Sequence, residues 1–248
     1  MSAALRASPA PARAPTTLQV GGLVRFTAID FPGRLAAVVF VQGCPWRCRY
    51  CHNPHLQARG GAAGPAWGDV LAWLRSRTGL LDAVVFSGGE PTADPALPQA
   101  MRAVRALGLA VGLHSAGMLP RRLAAALPLA DWVGLDVKAP LDDEAVHDAV
   151  AGVPRGAARV RESVQRVLAS GIAHEFRTTA HPLLLGDEAL LRIGRSLAAA
   201  GAQGFALQVA RPVEADAASL PAVGAGYPAA STVRALEALF PRFTLRRG

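Results

Sequence analysis

Lysine is almost missing from this chain. Lys138 is the only one among 26 lysine and arginine side chains; the rest are arginine. They are scattered, with Arg75, Arg102, Arg121, Arg161, Arg192 and Arg234 at polar positions of helix-like stretches. A net charge of +8 spread this way describes a solvated surface, not the clustered footprint of a nucleic-acid binder. Long apolar runs are missing too: none reaches the ~18 residues of a membrane span. Hydrophobic residues still make up 51% of the sequence, enough for one sizeable core. The Ala/Pro-rich start lacks the apolar stretch of an export signal. Residues 1–17 therefore read as a disordered tail before a single domain over 18–248, and the expected location is the cytoplasm.

Cysteine is scarce and concentrated. Cys44, Cys48 and Cys51 are the only three, spaced C-x3-C-x2-C. An odd number in a reducing compartment argues for metal binding or reactivity rather than disulfides. Thiolates are soft ligands suited to zinc or iron–sulfur clusters. Three on one loop supply three corners of a tetrahedral site or of a [4Fe–4S] cube and leave the fourth open. His52 or His55 would close it as a zinc site; a small ligand would close it as a cluster site. No cysteine is left over for a second cluster.

Along the chain, short apolar runs alternate with amphipathic stretches. Strands are expected at Leu35–Val41, Asp82–Phe86, Leu109–Leu113, Trp132–Val137, His174–Thr179 and Gly204–Val209. Helices are expected between them, among them one starting at Asp94-Pro95 as N-cap and first turn, one around 157–170 stopped by Gly171, and a last one from Ser231. Residues 210–230 read as irregular loop and 231–248 as a C-terminal helix and extension. About six βα units without an antiparallel hairpin signal imply an α/β fold with a parallel sheet. Ligands of such sheets bind at the C-terminal strand ends. The unusual residues fall there: the cysteine loop, Ser87-Gly88-Gly89-Glu90-Pro91, His114-Ser115-Ala116-Gly117, Asp136-Val137-Lys138, and Arg177 within its strand. Gly88-Gly89-Glu90-Pro91 is either a plain turn or a pocket element, with Glu90 offering a carboxylate to an ammonium group. Lys138 is either an exposed strand-end lysine or a site residue. Arg177 is either half of a buried ion pair or a contact to an anionic ligand.

C-x3-C-x2-C with Tyr50 before the last cysteine, followed one strand later by Gly88-Gly89-Glu90-Pro91, resembles the radical S-adenosylmethionine (SAM) superfamily. Thr27–Gly33, Gln42-Gly43-Cys44, Tyr50–Pro54, Phe86–Thr92, Asp136–Pro140 and Glu175–Thr179 narrow the resemblance to the glycyl-radical-enzyme activases, in particular the anaerobic ribonucleoside-triphosphate reductase activating proteins. It covers about Leu18 to Pro212. It implies a partial (β/α)6 barrel with a [4Fe–4S] cluster on Cys44, Cys48 and Cys51, whose fourth iron is completed by SAM. It also implies Tyr50 near the adenine, Gly88, Gly89 and Glu90 at the methionine amino group, and Asp136 and Lys138 as SAM contacts with catalytic roles. It further implies Ser115 and Arg177 as SAM contacts. The implied partners are a flavodoxin or ferredoxin as electron donor and a glycyl radical enzyme, with no nucleic acid or membrane. A deazapurine-type enzyme acting on a small molecule is the alternative within the superfamily, and a non-catalytic zinc protein the alternative outside it. His114 departs from the aspartate that helps some activases hold a monovalent cation; a neutral histidine cannot supply that charge.

Overall fold

The computed structural model describes residues 17–60, 64–212 and 220–247. The expected tail over 1–17 lies outside them up to residue 16, as do residues 213–219 of the expected loop. The described chain builds one eight-stranded sheet in sequential order: β1 Val20–Thr27, β2 Ala36–Val41, β3 Ala83–Gly88, β4 Ala110–Ser115, β5 Trp132–Asp136, β6 Ala173–Ala180, β7 Gly204–Val209 and β8 Arg242–Arg246. From β2 to β8 every pair is parallel. The helices are α1 Trp67–Arg75, α2 Leu97–Arg105, α3 Pro120–Ala126, α4 Glu144–Ala151, α5 Ala157–Ser170, α6 Asp187–Ala199 and α7 Ala230–Leu239. Right-handed crossovers between strands added always on the same side put all helices on one face. The other face curls into a lumen, a partial barrel, as the sequence implied.

Side-chain alternation divides the core accordingly. Ala37, Val39, Val41, Val84 and Phe86 join the large cluster under the helices, whereas Ala36, Val38, Ala83 and Val85 meet Phe31 and Trp132 inside the lumen. Phe31 and Trp132 lie 5.6 Å apart, ring to ring, and close the floor. The strands look continuously apolar because both faces are covered.

Three expectations need correction. An antiparallel strand precedes the parallel set: β1 pairs with β2 through Val20↔Val41 and Leu23↔Val39, with irregularities on either side of Val24 and Gly22. Gly21-Gly22 hides it, since glycine has low strand propensity and only the free edge of β2 makes pairing favourable. The C-terminal extension contains β8, whose Arg-Phe-Thr-Leu-Arg alternates polar and apolar residues but is only five residues long, too short a run to stand out beside the preceding helix. Helix α2 starts at Leu97, not at Asp94-Pro95. A short 3-10 turn, Pro91–Ala93, intervenes, and the buried Asp94 carboxylate accepts from the Gln19 and Ala96 amides and pairs with Arg59. Elsewhere boundaries agree within a few residues, and Gly171 ends α5 in the left-handed region as expected. No helix among the described residues is long and apolar enough to cross a membrane.

Candidate active site

The loop after β2 is pinned at several points. Gly43 N–H donates to Leu56 C=O at 2.8 Å, Cys44 N–H to Gln57 C=O at 3.1 Å, and Arg47 N–H to Ala151 C=O at the end of α4 at 2.9 Å. The Arg47 guanidinium donates back to the Cys44 and Trp46 carbonyls, both at 2.7 Å. The three cysteines are thus presented by a preformed loop. The loop after β3 is bonded to it: Gly89 N–H reaches Val41 C=O and Glu90 N–H reaches Gly43 C=O, each at 2.9 Å. Only glycine allows that approach. A Cβ on Gly88, at φ +114, would fall 2.4 Å from Val41 N, and one on Gly89 would fall 2.6 Å from Gly43 O.

One cleft opens between these loops and the ends of β4 to β6. It is lined by Cys44, Cys48, Cys51, Tyr50, Gly88 and Gly89 from the first two strands' loops. From the later strands it is lined by Ser115, Asp136, Lys138 and Arg177. Of the residues expected to ligate iron or contact SAM, only Glu90 is absent from the lining. Its carboxylate, fully buried, accepts from Thr92 N (3.2 Å), Thr92 Oγ1 (2.6 Å), Ser115 Oγ (2.8 Å) and Ala116 N (2.7 Å). Glu90 braces the β3 loop to the end of β4, and the Ser115 hydroxyl is committed to that brace. Burial raises the Glu90 pKa, while the Thr92, Ala116 and Ser115 bonds work against it.

Lys138 is buried, not an exposed strand end; its ammonium stands 5.5 Å above the Tyr50 ring and 3.5 Å from Asp136 Oδ2. Arg177 makes the ion pair that its strand position suggested, Nη2 to Asp136 Oδ1 at 2.9 Å, and also faces the cleft. Burial alone would raise the Asp136 pKa; Arg177 and then Lys138 outweigh it and hold the carboxyl below its usual range. The Lys138 ammonium is likewise disfavoured by burial, but surrounding acidic groups, Cys48, Tyr50 and Asp136, hold its pKa well above the usual value. Burial pushes the Cys44 thiol up to about 12 and raises that of Cys48. Without metal both are neutral thiols, and ligation must displace their protons.

His114 donates Nε2–H to Asp30 C=O at 2.9 Å and stands edge-on to Trp132. Burial, then the Arg177 charge, brings its pKa down to about 3, so it is neutral, packed and at the cleft wall at once. The sign of its stability effect follows. The unfolded histidine takes up a proton below about 6.5 and the folded one does not, so stability present at neutral pH is lost as pH falls from 6.5 toward 3. Replacing His114 by Gln is expected to flatten that slope by up to one proton, about 1.4 kcal/mol per pH unit. Urea unfolding of both proteins between pH 7 and 5 measures it; identical slopes would show that His114 is not the group involved.

His52 reaches the cleft and His55 does not. Among the described residues no three His, Cys, Asp or Glu side chains converge on one metal ion. A cube-shaped cluster asks for no such convergence, because each thiolate binds a different iron. The donors fit such a group: three sulfurs on one cleft, with the buried Trp46 Nε1 beside them lacking any hydrogen-bond partner. Trp46 and Thr179 line the cleft without having been singled out. Trp46 lies within the cysteine loop itself, and Thr179 follows Arg177 at the two-residue spacing of one strand face.

The sequence pattern of the Radical SAM superfamily matches residues 38–189, well over half of the chain. This chain belongs to the radical SAM superfamily. Members of the superfamily use a [4Fe–4S] cluster and SAM, and the chain is accordingly a radical SAM enzyme. A Methanocaldococcus jannaschii protein assigned as a glycyl-radical enzyme activating enzyme is 32% identical over 129 residues, 50% of this chain and 51% of that protein. The PqqA peptide cyclase of Rhodopseudomonas palustris is 38% identical over 119 residues, 47% of this chain and 31% of the cyclase. The chain thus spans about half the length of the first relative and less of the second. Among solved structures, Streptococcus suis SuiB bound to S-adenosylmethionine superposes with a TM-score of 0.61 at 14% identity, over 83% of this chain and 48% of SuiB. That likeness concerns the fold.

Proposed function

We propose that this radical SAM enzyme is an activase: it makes a glycyl radical on a partner enzyme, with anaerobic ribonucleoside-triphosphate reductase the foremost candidate. The observation that carries the reading is the pair of mutually bonded loops, one bearing all three thiols and one bearing Gly88-Gly89, opening on a single cleft. Cys44, Cys48 and Cys51 would hold the cluster, and the backbone at Gly88 and Gly89 would meet the methionine amino group. Bound there, the cluster and SAM would supply the reductive radical chemistry from which hydrogen abstraction starts. The chain's own residues orient SAM. Asp136, held anionic between Arg177 and Lys138, and Arg177 itself offer fixed charges to its polar groups, and Tyr50 an aromatic face to the adenine. Phe31 and Trp132 keep water from the floor of the lumen. A flavodoxin or ferredoxin in the reducing cytosol would provide the electron. The activating-enzyme relative supports this reading over a peptide cyclase, and the 248 residues contain no further cysteine for a second cluster.

The test is electron paramagnetic resonance of a candidate reductase after anaerobic incubation with this protein, SAM and reductant. A glycyl doublet that disappears when any of the three cysteines is replaced is the expected result. Release of 5′-deoxyadenosine coupled to a small metabolite, with no doublet, would overturn it in favour of the deazapurine-type alternative.

A further inference from the structure

Helix α4 carries a histidine that no motif marks. His147 is fully buried, and among the described residues neither of its ring nitrogens has a hydrogen-bond partner. Its ring stands 5.6 Å from that of Trp46, tilted by 50°. Trp46 is the buried residue between Cys44 and Cys48, and its Nε1–H has no partner either. The backbone is shaped to bring the two rings together. Arg47 N–H donates to Ala151 C=O, and Gly152, at φ +70, comes so close that a Cβ there would fall 2.2 Å from Arg47 O. A Cβ on Gly156 would fall 2.5 Å from His147 Cε1 and 3.0 Å from Trp46 Cζ3, so only glycine admits both rings. The carboxylates on either side of His147 are spent elsewhere. Glu144 accepts from Ala157 N at 3.0 Å, and Asp148 accepts from Arg155 N at 3.1 Å and Gly156 N at 3.3 Å. Asp143 caps α4 through Val146 N at 3.1 Å and pairs with Arg192 of α6, which fixes the other end of the helix.

We propose that His147 is a positioning residue for the cysteine loop, and that it acts by accepting the Trp46 indole N–H. This concerns the thiol loop and holds whether or not the partner is a glycyl radical enzyme. A buried indole N–H usually finds an acceptor. A neutral imidazole has one acceptor nitrogen and one donor, and burial, which lowers the His147 pKa, favours that neutral form. A half-turn about χ2 exchanges the ring's nitrogens with carbons in nearly the same volume, so the packing admits either edge facing Trp46. At this centroid separation a nitrogen of each ring can meet at about 3 Å. The bond fixes the orientation of the indole, and with it the backbone from Cys44 to Cys48, before any metal arrives. Without it that segment hangs on the backbone bonds either side of Trp46, at Cys44 N and Arg47 N.

The test uses the full chain after anaerobic reconstitution. Ultraviolet resonance Raman reads the marker band for hydrogen bonding at the indole N–H, with Trp46 isolated as the difference between wild type and Trp46→Phe. Wild-type Trp46 should report a bonded N–H. His147→Phe, which keeps a ring but has no acceptor, should report a free one. His147→Gln, which restores an acceptor oxygen, should return toward wild type. Iron release to a chelator should be about fivefold faster in His147→Phe, the worth of one hydrogen bond. It should be no faster in the double variant Trp46→Phe with His147→Phe than in the faster single one, because the two residues act as a unit. A free N–H in wild type overturns the proposal by itself, even if His147→Phe does not fold. An unchanged band or release rate in His147→Phe overturns it too, as do effects that multiply in the double variant. A band that follows cluster loading rather than His147→Phe also overturns it, and gives the indole to a cluster sulfur.

Discussion

Alanine in place of Cys48 is expected to bring iron after anaerobic reconstitution from about four per chain to near zero, and SAM cleavage to background with it. Cys48 is the middle of three thiols on one short loop, and the chain has no other cysteine to replace it. A [4Fe–4S] cube held at two corners has two irons open to chelators, oxygen and solvent, so the loss should be near complete rather than graded. The fold should survive. The loop is held by Arg47, Gly43 and Cys44 through backbone groups that the substitution does not touch. Burial already keeps the metal-free Cys48 a neutral thiol, so alanine removes no buried charge. The readouts are iron content, absorbance near 400 nm and circular dichroism. A variant that retains about four irons, or a wild type that is colourless with one zinc, would sink the cluster assignment.

Glu90→Ala is expected to be the most damaging substitution that leaves the cysteines intact. Four groups donate to that carboxylate: two backbone amides, Thr92 N and Ala116 N, and two hydroxyls, Thr92 Oγ1 and Ser115 Oγ. All are buried, and alanine leaves the two amides with no acceptor. Each unsatisfied buried donor costs about 1–3 kcal/mol, so a loss on the order of 3 kcal/mol is expected in denaturant unfolding. Glu90→Gln separates shape from charge. Its amide oxygen can still serve one backbone amide, while its NH2 group faces the other, and the hydroxyls can turn to accept from it. Its cost should be about half that of alanine. Because the brace joins the Gly88-Gly89 loop to the end of β4, SAM affinity measured by equilibrium dialysis should fall in both variants, and in the same order. If Glu90→Ala matched wild type in stability and lost only SAM affinity, the brace would be the wrong account, and direct contact with the ligand the right one.

The chemistry of this protein was legible in local sequence because chemistry demands particular residues at short spacing. Three thiols on one loop, two glycines where backbone must touch backbone, and a lone lysine beside an aspartate all stand out without a fold. The parallel core strands were legible for a related reason. Each is covered on both faces and so reads as an unbroken apolar run, as Ala36–Val41 does. The edges were not. Strands β1 and β8 are covered unevenly, and they hold together only through pairing with β2 and β7, whose partner residues lie 9 to 38 positions away in the chain.

Sequence by itself determined the superfamily, the three cysteines and the strand ends at which the remaining polar residues would gather. It could not say which of those residues face the cleft and which spend their polar atoms inside the protein, because strand residue and brace can have the same neighbours in sequence. Only the tertiary structure turned the Glu90 carboxylate inward onto Thr92, Ser115 and Ala116. It also buried Lys138 over Tyr50 and gave Arg177 and Lys138 one shared counter-ion in Asp136. The physical reason is that a buried polar group takes whatever partner the fold brings within about 3 Å, and that partner is set by how strands and loops stack, not by where it stands in the chain.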